Sequence, residues 1–314
     1  MSALTRGRYQ AVPLLEPRVR PAGKIGWQGV PRGPGRVTVP RLATNVAVVD
    51  VLLRNNVTLA GRPDGPPLVF AHGFGCDQGM WRHVAPAFGA THRLVLFDHV
   101  GAGGSDLTAY SAKRHGRLDG YAADVLDIID ALDLPLTVFV GHSVSAMIGV
   151  LAAVKRPERF DRLVLVCPSP RYIDDDEYRG GFSAAEIDEL LETMDGNYLG
   201  WSQHIAPVIM GVPERPELGE ELASSFCRTD PTIARRFART TFLSDNRADL
   251  DRLRTPSLIL QCHEDVIAPR EVGDYVHAHL AGSELVTLDA TGHCPNLSAP
   301  EQVVTAMKRY LSVP

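Results

Sequence analysis

A serine hydroxyl becomes a nucleophile when a base takes its proton, and that base needs a carboxylate to hold it in the right orientation. Three residues of this 314-residue chain have the types and the order for such chemistry: Ser143, Asp265 and His293. Ser143 lies in Gly141-His142-Ser143-Val144-Ser145, between a strand-like run at residues 136–140 and a helix-like run at residues 146–153. A sharp strand-to-helix turn lifts the hydroxyl clear of a sheet and leaves a free backbone N–H at the helix start for a developing oxyanion. The chemistry implied is acyl transfer through a covalent acyl-serine. The match to the pattern G-x-S-x-G is incomplete, because Ser145 stands in place of the last glycine.

The acid and the base each follow a strand-like run. Residues 256–262 read as a buried strand and lead into His263-Glu264-Asp265. Residues 285–288 are a shorter apolar run leading into Asp289-Ala290-Thr291-Gly292-His293. Parallel α/β sheets gather their functional groups on such loops. A second oxyanion donor is expected from the loop after residues 68–71, His72-Gly73-Phe74-Gly75, so the donors are assigned as the backbone N–H groups of Phe74 and Val144. The Phe74 side chain is expected to project towards the acyl pocket.

These residues need a scaffold. Apolar runs at residues 45–53, 68–71, 94–97, 136–140, 162–167, 257–261 and 284–288 alternate with helical stretches at 80–88, 118–132, 144–155, 269–280 and 300–311. Such alternation implies a mostly parallel sheet with crossover helices, here an α/β-hydrolase fold. Residues 169–252 change rhythm and read as four helices, a cap inserted after the sixth strand. The core is therefore expected over 44–168 and 253–314. Within the cap, Phe182, Trp201, Phe226 and Phe242 are candidates to line an apolar substrate pocket, and Phe237 is a weaker one.

With 45% hydrophobic and 22% charged residues, the composition is that of a soluble globular protein. No apolar run approaches the roughly 20 residues needed to cross a bilayer, so no membrane segment is expected. Five cysteines without CxxC or metal-type spacing point to a reducing cytoplasm. Residues 1–43 carry eight basic residues against Glu16 alone, are rich in Pro and Gly, and lack hydrophobic periodicity. They are expected to be disordered. An arm for an acidic partner or nucleic acid is one reading; a dispensable tail is preferred, so no nucleic-acid partner is expected.

Several residues invite misreading. His142 should point into the turn, and His72 should support the oxyanion loop. Asp98 precedes the nucleophile, the wrong order for a triad acid in this fold, and should serve a structural turn. Gly101-Ala102-Gly103-Gly104 lacks the spacing of a dinucleotide fingerprint. His263, Glu264 and His293 lack metal-ligand spacing, so neither metal nor cofactor is expected. Cys294 reads as a packed thiol.

The chain resembles the RsbQ family of bacterial stress-response hydrolases, itself related to the plant karrikin and strigolactone receptor hydrolases. The resemblance rests on Phe74-Gly75-Cys76-Asp77-Gln78, on the run from Gly141 to Gly149, on Asn197-Tyr198-Leu199-Gly200-Trp201, on the run from Phe226 to Pro231, and on Gly292-His293-Cys294-Pro295. It extends from about residue 50 to the C-terminus, and Ser145 is usual in that family. The resemblance implies Ser143 as nucleophile, His293 as base, Asp265 as acid, and an oxyanion site framed by Phe74 and Val144. It further implies a four-helix cap, a small, largely apolar ester or lactone as substrate, and a signalling role with a regulatory protein partner. The alternative to a plain enzyme is a slow-turnover sensor that acts through cap movement.

Overall fold

The computed structural model describes residues 46–312. The basic arm expected over residues 1–43 lies outside the described residues. In chain order the elements begin with α1 (Val46–Arg54), β1 (Thr58–Gly61), β2 (Pro67–Ala71) and β3 (Arg93–Phe97), then α2 (Ala112–His115), α3 (Leu118–Ala131), β4 (Thr137–His142), α4 (Val144–Lys155) and β5 (Phe160–Val166). Four longer helices follow, α5 (Ala184–Gly196), α6 (Tyr198–Met210), α7 (Pro216–Arg228) and α8 (Pro231–Phe242), with the short α9 (Arg247–Leu250). The chain then returns to β6 (Ser257–Glu264), α10 (Arg270–His279), β7 (Ser283–Thr291), α11 (Pro295–Ser298) and α12 (Pro300–Leu311).

The seven strands form one sheet in the order β1-β3-β2-β4-β5-β6-β7. Only β1 runs antiparallel to its neighbour; the remaining pairs are parallel. Strands β2 and β4 are buried along their whole length, which is why they read in sequence as unbroken apolar runs. They also lie side by side, with Val69 opposite Phe139 and Ala71 opposite Gly141. The chain winds outward in opposite directions from this pair. The loops leaving β2 and β4 therefore open into one crevice at the carboxyl edge of the sheet, where open α/β sheets bind ligands. Helices α3 and α4 cover one face, burying Tyr121, Val125, Ile128, Met147, Ile148 and Val150 against β2, β3 and β4.

Three expectations need correction. Residues 45–53 were expected to be a strand, yet α1 is a helix. Its valines favour strand locally, but Val51 and Leu52 pack against the hydrophobic core and the helix lies along α3, so packing overrides propensity. The sheet edge is filled instead by β1, a four-residue strand largely exposed to solvent and too short to stand out. Second, the helical insertion leaves the sheet after β5, the fifth strand among the described residues, rather than after a sixth. Third, the helix expected over residues 80–88 is two 3₁₀ turns, Gln78–Trp81 and Ala85–Phe88, the second starting where Pro86 cannot donate a helical hydrogen bond.

Candidate active site

Strand β4 ends at His142 and α4 begins at Val144, leaving Ser143 alone to make the turn. Its backbone pays for this with φ 56° and ψ −123°, outside the regions that suit a residue with a Cβ. The strain is held in place by neighbours: the Ser143 N–H donates to the Val166 carbonyl at 2.8 Å, and the Ser143 carbonyl accepts from Ala146 at 2.9 Å. Gly141 permits the sharpness, since a Cβ there would lie 2.4 Å from the Ser145 carbonyl oxygen.

The three residues of the expected triad come together. The Ser143 Oγ lies 2.7 Å from His293 Nε2, and His293 Nδ1 lies 2.7 Å from Asp265 Oδ2. All three are buried. The other Asp265 oxygen, Oδ1, accepts from the backbone N–H groups of Ile267 at 2.9 Å and Ala268 at 3.1 Å. Burial pushes the Asp265 pKa up, but the His293 charge and hydrogen bond, with those two N–H donors, bring it below the usual carboxylate value. An ionised Asp265 accepts from His293 Nδ1–H, so Nε2 is the bare nitrogen that can take the Ser143 proton.

His142 lines the floor of the active-site cavity and holds His293 in place. Its Nε2–H donates to the His293 carbonyl at 2.7 Å, and burial lowers its pKa to about 3, so the ring is neutral. The His293 loop is held from the helical insertion as well, through a 2.8 Å bond from the His293 N–H to the Ile209 carbonyl of α6.

The loop after β2 passes directly over the turn. A Cβ on Gly73 would meet His142 Nδ1 at 2.5 Å and Ser143 Cβ at 3.4 Å, so only glycine fits. Among the described residues, no turn, loop or cap hydrogen bond takes the N–H of Phe74 or of Val144, the first residue of α4. Ser145 couples the two segments: its hydroxyl donates to the His72 carbonyl and accepts from His99 Nε2 at 2.7 Å. The His72 ring adds a second tie, accepting from the His99 N–H at 3.1 Å. The serine in place of the usual glycine thus fastens the helix start to the loop after β2, a role that becomes visible only once the two segments are brought together.

Gly73→Ala is expected to lower kcat/KM for an aryl ester by about 10²-fold, the scale of losing one oxyanion donor, because the loop carrying the Phe74 N–H must move off Ser143. Steady-state kinetics beside a thermal melt check this; wild-type kinetics in a folded variant would refute it.

Above Ser143 lies a cavity of about 30 Å³, roofed by Ile209, Leu222, Phe226, Thr241 and Phe242 from α6, α7 and α8 and walled by Phe74, Cys76, Tyr172, Ile267 and Cys294. Of the four aromatic residues expected to line a pocket, Phe226 and Phe242 do so. Phe182 and Trp201 do not. Phe182 is buried in an irregular ladder, bridged to Ile173. Trp201 stands behind the wall, stacked on Tyr198 and tilted against Phe226 at 5.6 Å. The Phe74 ring does reach the cavity, in contact with Trp201, Phe226, Phe237 and Phe242. Sequence reading missed Tyr172, Ile209, Leu222, Thr241 and Ile267, whose participation depends on the rotation of each helix and the path of each loop.

The remaining candidates are structural. Asp98 accepts from the Asn56 side chain and from the backbone of Gln78 and Gly104, closing a turn. His263 and Glu264 line a separate polar surface groove with Asp289 and Glu301.

Residues 68–306 match the model of the alpha/beta hydrolase family. The chain is an α/β-hydrolase. Its relatives include the strigolactone esterase of Arabidopsis thaliana, 38% identical over 83% of this hydrolase and 98% of that protein. A karrikin insensitive 2 receptor of Petunia hybrida is 37% identical over 78% of this hydrolase and 90% of its own length. Among solved structures, a hydrolase of Oleispira antarctica superposes with a TM-score of 0.83 at 39% identity, covering 85% of this chain and 98% of that one. With esterases and a hydrolase among its relatives, this is a serine-dependent hydrolase of the carboxylic-ester type. Among the described residues, no helix of the hydrolase is long and apolar enough to cross a membrane.

Proposed function

We propose that this hydrolase cleaves a small, largely apolar carboxylic ester or lactone through an acyl-enzyme on Ser143. The observation that carries the reading is the unbroken hydrogen-bonded chain Ser143–His293–Asp265 at the floor of an apolar cavity. His293 Nε2 takes the Ser143 proton as Oγ attacks the carbonyl carbon. The oxyanion is held by the N–H groups of Phe74 and Val144. His293 then gives the proton to the departing alkoxide, and the carbon–oxygen bond breaks to leave acyl-Ser143. Water repeats the sequence: His293 takes its proton, the hydroxide adds to the acyl carbon, and Ser143 leaves with the proton returned. Asp265 stays ionised and stabilises the imidazolium formed in each half.

Residues 44–168 and 253–314 serve in this reading as the catalytic core and 169–252 as a cap. Five free thiols fit the reducing interior of a cell.

A second reading, a slow-turnover sensor that signals to a regulatory protein partner as in a stress response, draws on a different observation. A cavity of about 30 Å³ holds about one water, whereas small-ligand sites run to several hundred Å³. A substrate therefore requires the wall to move, and where the movement extends to α6, α7 or α8 it is available as a signal. Rapid mixing with p-nitrophenyl butyrate separates the two. A serine hydrolase releases p-nitrophenol steadily, with the release abolished in Ser143→Ala. One equivalent followed by near silence favours the sensor. Equal rates in both proteins overturn the nucleophile assignment.

A further inference from the structure

Two hydroxyls in the wall of the Ser143 cavity make no hydrogen bond among the described residues. Thr241, in α8, is 1% exposed and its Oγ1 has no partner. A helical threonine commonly turns its hydroxyl back to the carbonyl one turn earlier. The neighbouring Thr240 does so, donating to the Arg236 carbonyl at 3.0 Å. Thr241 forgoes that bond and lines the cavity instead.

Tyr172, on the loop after β5, is equally buried, and its Oη is likewise unpaired. Burial pushes its pKa up to about 12 against the lowering effect of the Ser143 hydroxyl, which stands within reach of Tyr172 Oη but outside hydrogen-bond geometry, so Tyr172 offers a neutral O–H beside the nucleophile. Its ring meets Phe242, the residue after Thr241, at 5.1 Å, so the two hydroxyls come from adjoining parts of the wall. The remaining wall is largely apolar: Phe74, Ile209, Leu222, Phe226 and Ile267. A buried hydroxyl left unpaired in such surroundings is costly, and each one calls for a partner. Valine would suit the helix and the wall at position 241, and phenylalanine would suit position 172, without that cost.

We propose that Thr241 and Tyr172 form a polar subsite that selects esters or lactones carrying a second oxygen acceptor near the scissile carbonyl, such as an ether or ring oxygen. Hydrocarbon analogues of the same shape are rejected because they leave both hydroxyls unpaired. The proposal rests on Ser143 as nucleophile and narrows the substrate class of that site.

The test uses p-nitrophenyl methoxyacetate and p-nitrophenyl butyrate, which have the same chain length and differ by an ether oxygen in place of a methylene. The kcat/KM ratio of the pair is divided by the ratio of their spontaneous hydrolysis rates, which removes the greater intrinsic reactivity of the methoxyacetate. The corrected ratio is expected to be about 10 or more in the wild type, the scale of one well-made hydrogen bond. It should fall several-fold towards one in Thr241→Val and in Tyr172→Phe, and be restored by Thr241→Ser. A ratio is independent of the fraction of folded enzyme, so loss of stability alone does not move it.

A corrected ratio near one in the wild type, or one unchanged in both variants, overturns the subsite and leaves a trapped water as the partner of the two hydroxyls. Thermal melts of Ser143→Ala with ethyl methoxyacetate and ethyl butyrate provide a reading independent of turnover. The methoxy ester should stabilise more, and adding Thr241→Val should erase the difference; equal shifts before that change count against the subsite. Hydrolysis that persists in Ser143→Ala would instead overturn the nucleophile, while the melts still decide the subsite.

Discussion

Asp265→Asn is expected to lower kcat for ester hydrolysis by about 10⁴-fold while leaving the fold intact. The size of the effect follows from where the amide must point. Asp265 Oδ1 accepts from the backbone N–H groups of Ile267 and Ala268, and an amide NH₂ cannot replace it there. The asparagine therefore keeps its carbonyl oxygen towards the two N–H donors and turns its NH₂ to His293. His293 Nδ1, now facing a donor across the former 2.7 Å contact, must become the acceptor, and the ring proton moves to Nε2. That nitrogen can no longer take the Ser143 proton. Steady-state turnover of p-nitrophenyl butyrate, with a melting temperature for the same sample, measures the effect. A loss smaller than about tenfold in a folded variant would show that the His293 tautomer is set by something other than Asp265.

The same geometry explains what was legible in the sequence. Ser143 and Asp265 directly follow β4 and β6, and His293 follows β7 by two residues; β4 and β6 are buried enough to leave unbroken apolar runs ahead of Ser143 and Asp265. Chain order and strand-end position thus single out Ser143, Asp265 and His293 from the many polar residues present, and the structure brings these three side chains into hydrogen-bond contact. The pocket was less legible, because a helical insertion offers many buried aromatic side chains and only helix rotation decides which face inward. Phe226 and Phe242 face the cavity, while Trp201, only a helix away, packs behind Phe226. Thr241 carried no signal at all, since a threonine beside a phenylalanine in an amphipathic helix is ordinary. Helix α1 misled for a related reason: a valine-rich segment prefers strand until a neighbouring helix supplies a better surface.

The second large effect concerns pH and stability, and it comes from two histidines that the fold holds neutral. His142 is buried under the active site, with its pKa lowered to about 3 by burial and by the adjacent His293 ring, against smaller opposing effects of its hydrogen bond to the His293 carbonyl and of Asp265. His99 is buried behind the oxyanion loop, with its pKa well below the ordinary value through burial and the neighbouring His72 and His115. Each ring donates through Nε2, to the His293 carbonyl and to Ser145, and each leaves Nδ1 without a partner among the described residues. In the unfolded chain both titrate near the ordinary histidine pKa of about 6.5. Between that value and the folded pKa, the unfolded state binds more protons, so stability falls as pH falls. The stability is fully present above about pH 7 and drains away from about pH 6.5 downwards, at about 1.4 kcal/mol per pH unit for His142, with His99 adding to the loss. From pH 7 to pH 5 His142 alone removes about 2 kcal/mol, a noticeable part of the 5–15 kcal/mol that holds a typical domain together, and His99 acts in the same direction. The lowered pKa of Asp265 acts in the same direction but only below about pH 4, where the unfolded carboxylate is largely protonated, so between pH 7 and pH 5 the histidines act without it. Urea denaturation at pH 7, 6 and 5 measures the slope. His142→Gln should make the wild-type curve shallower by one histidine's share, even if the variant is less stable throughout. A wild-type stability that is flat across this range, or a slope that His142→Gln leaves unchanged, would mean that the ring accepts a proton inside the folded protein and that its Nδ1 finds a carboxylate or carbonyl when it does.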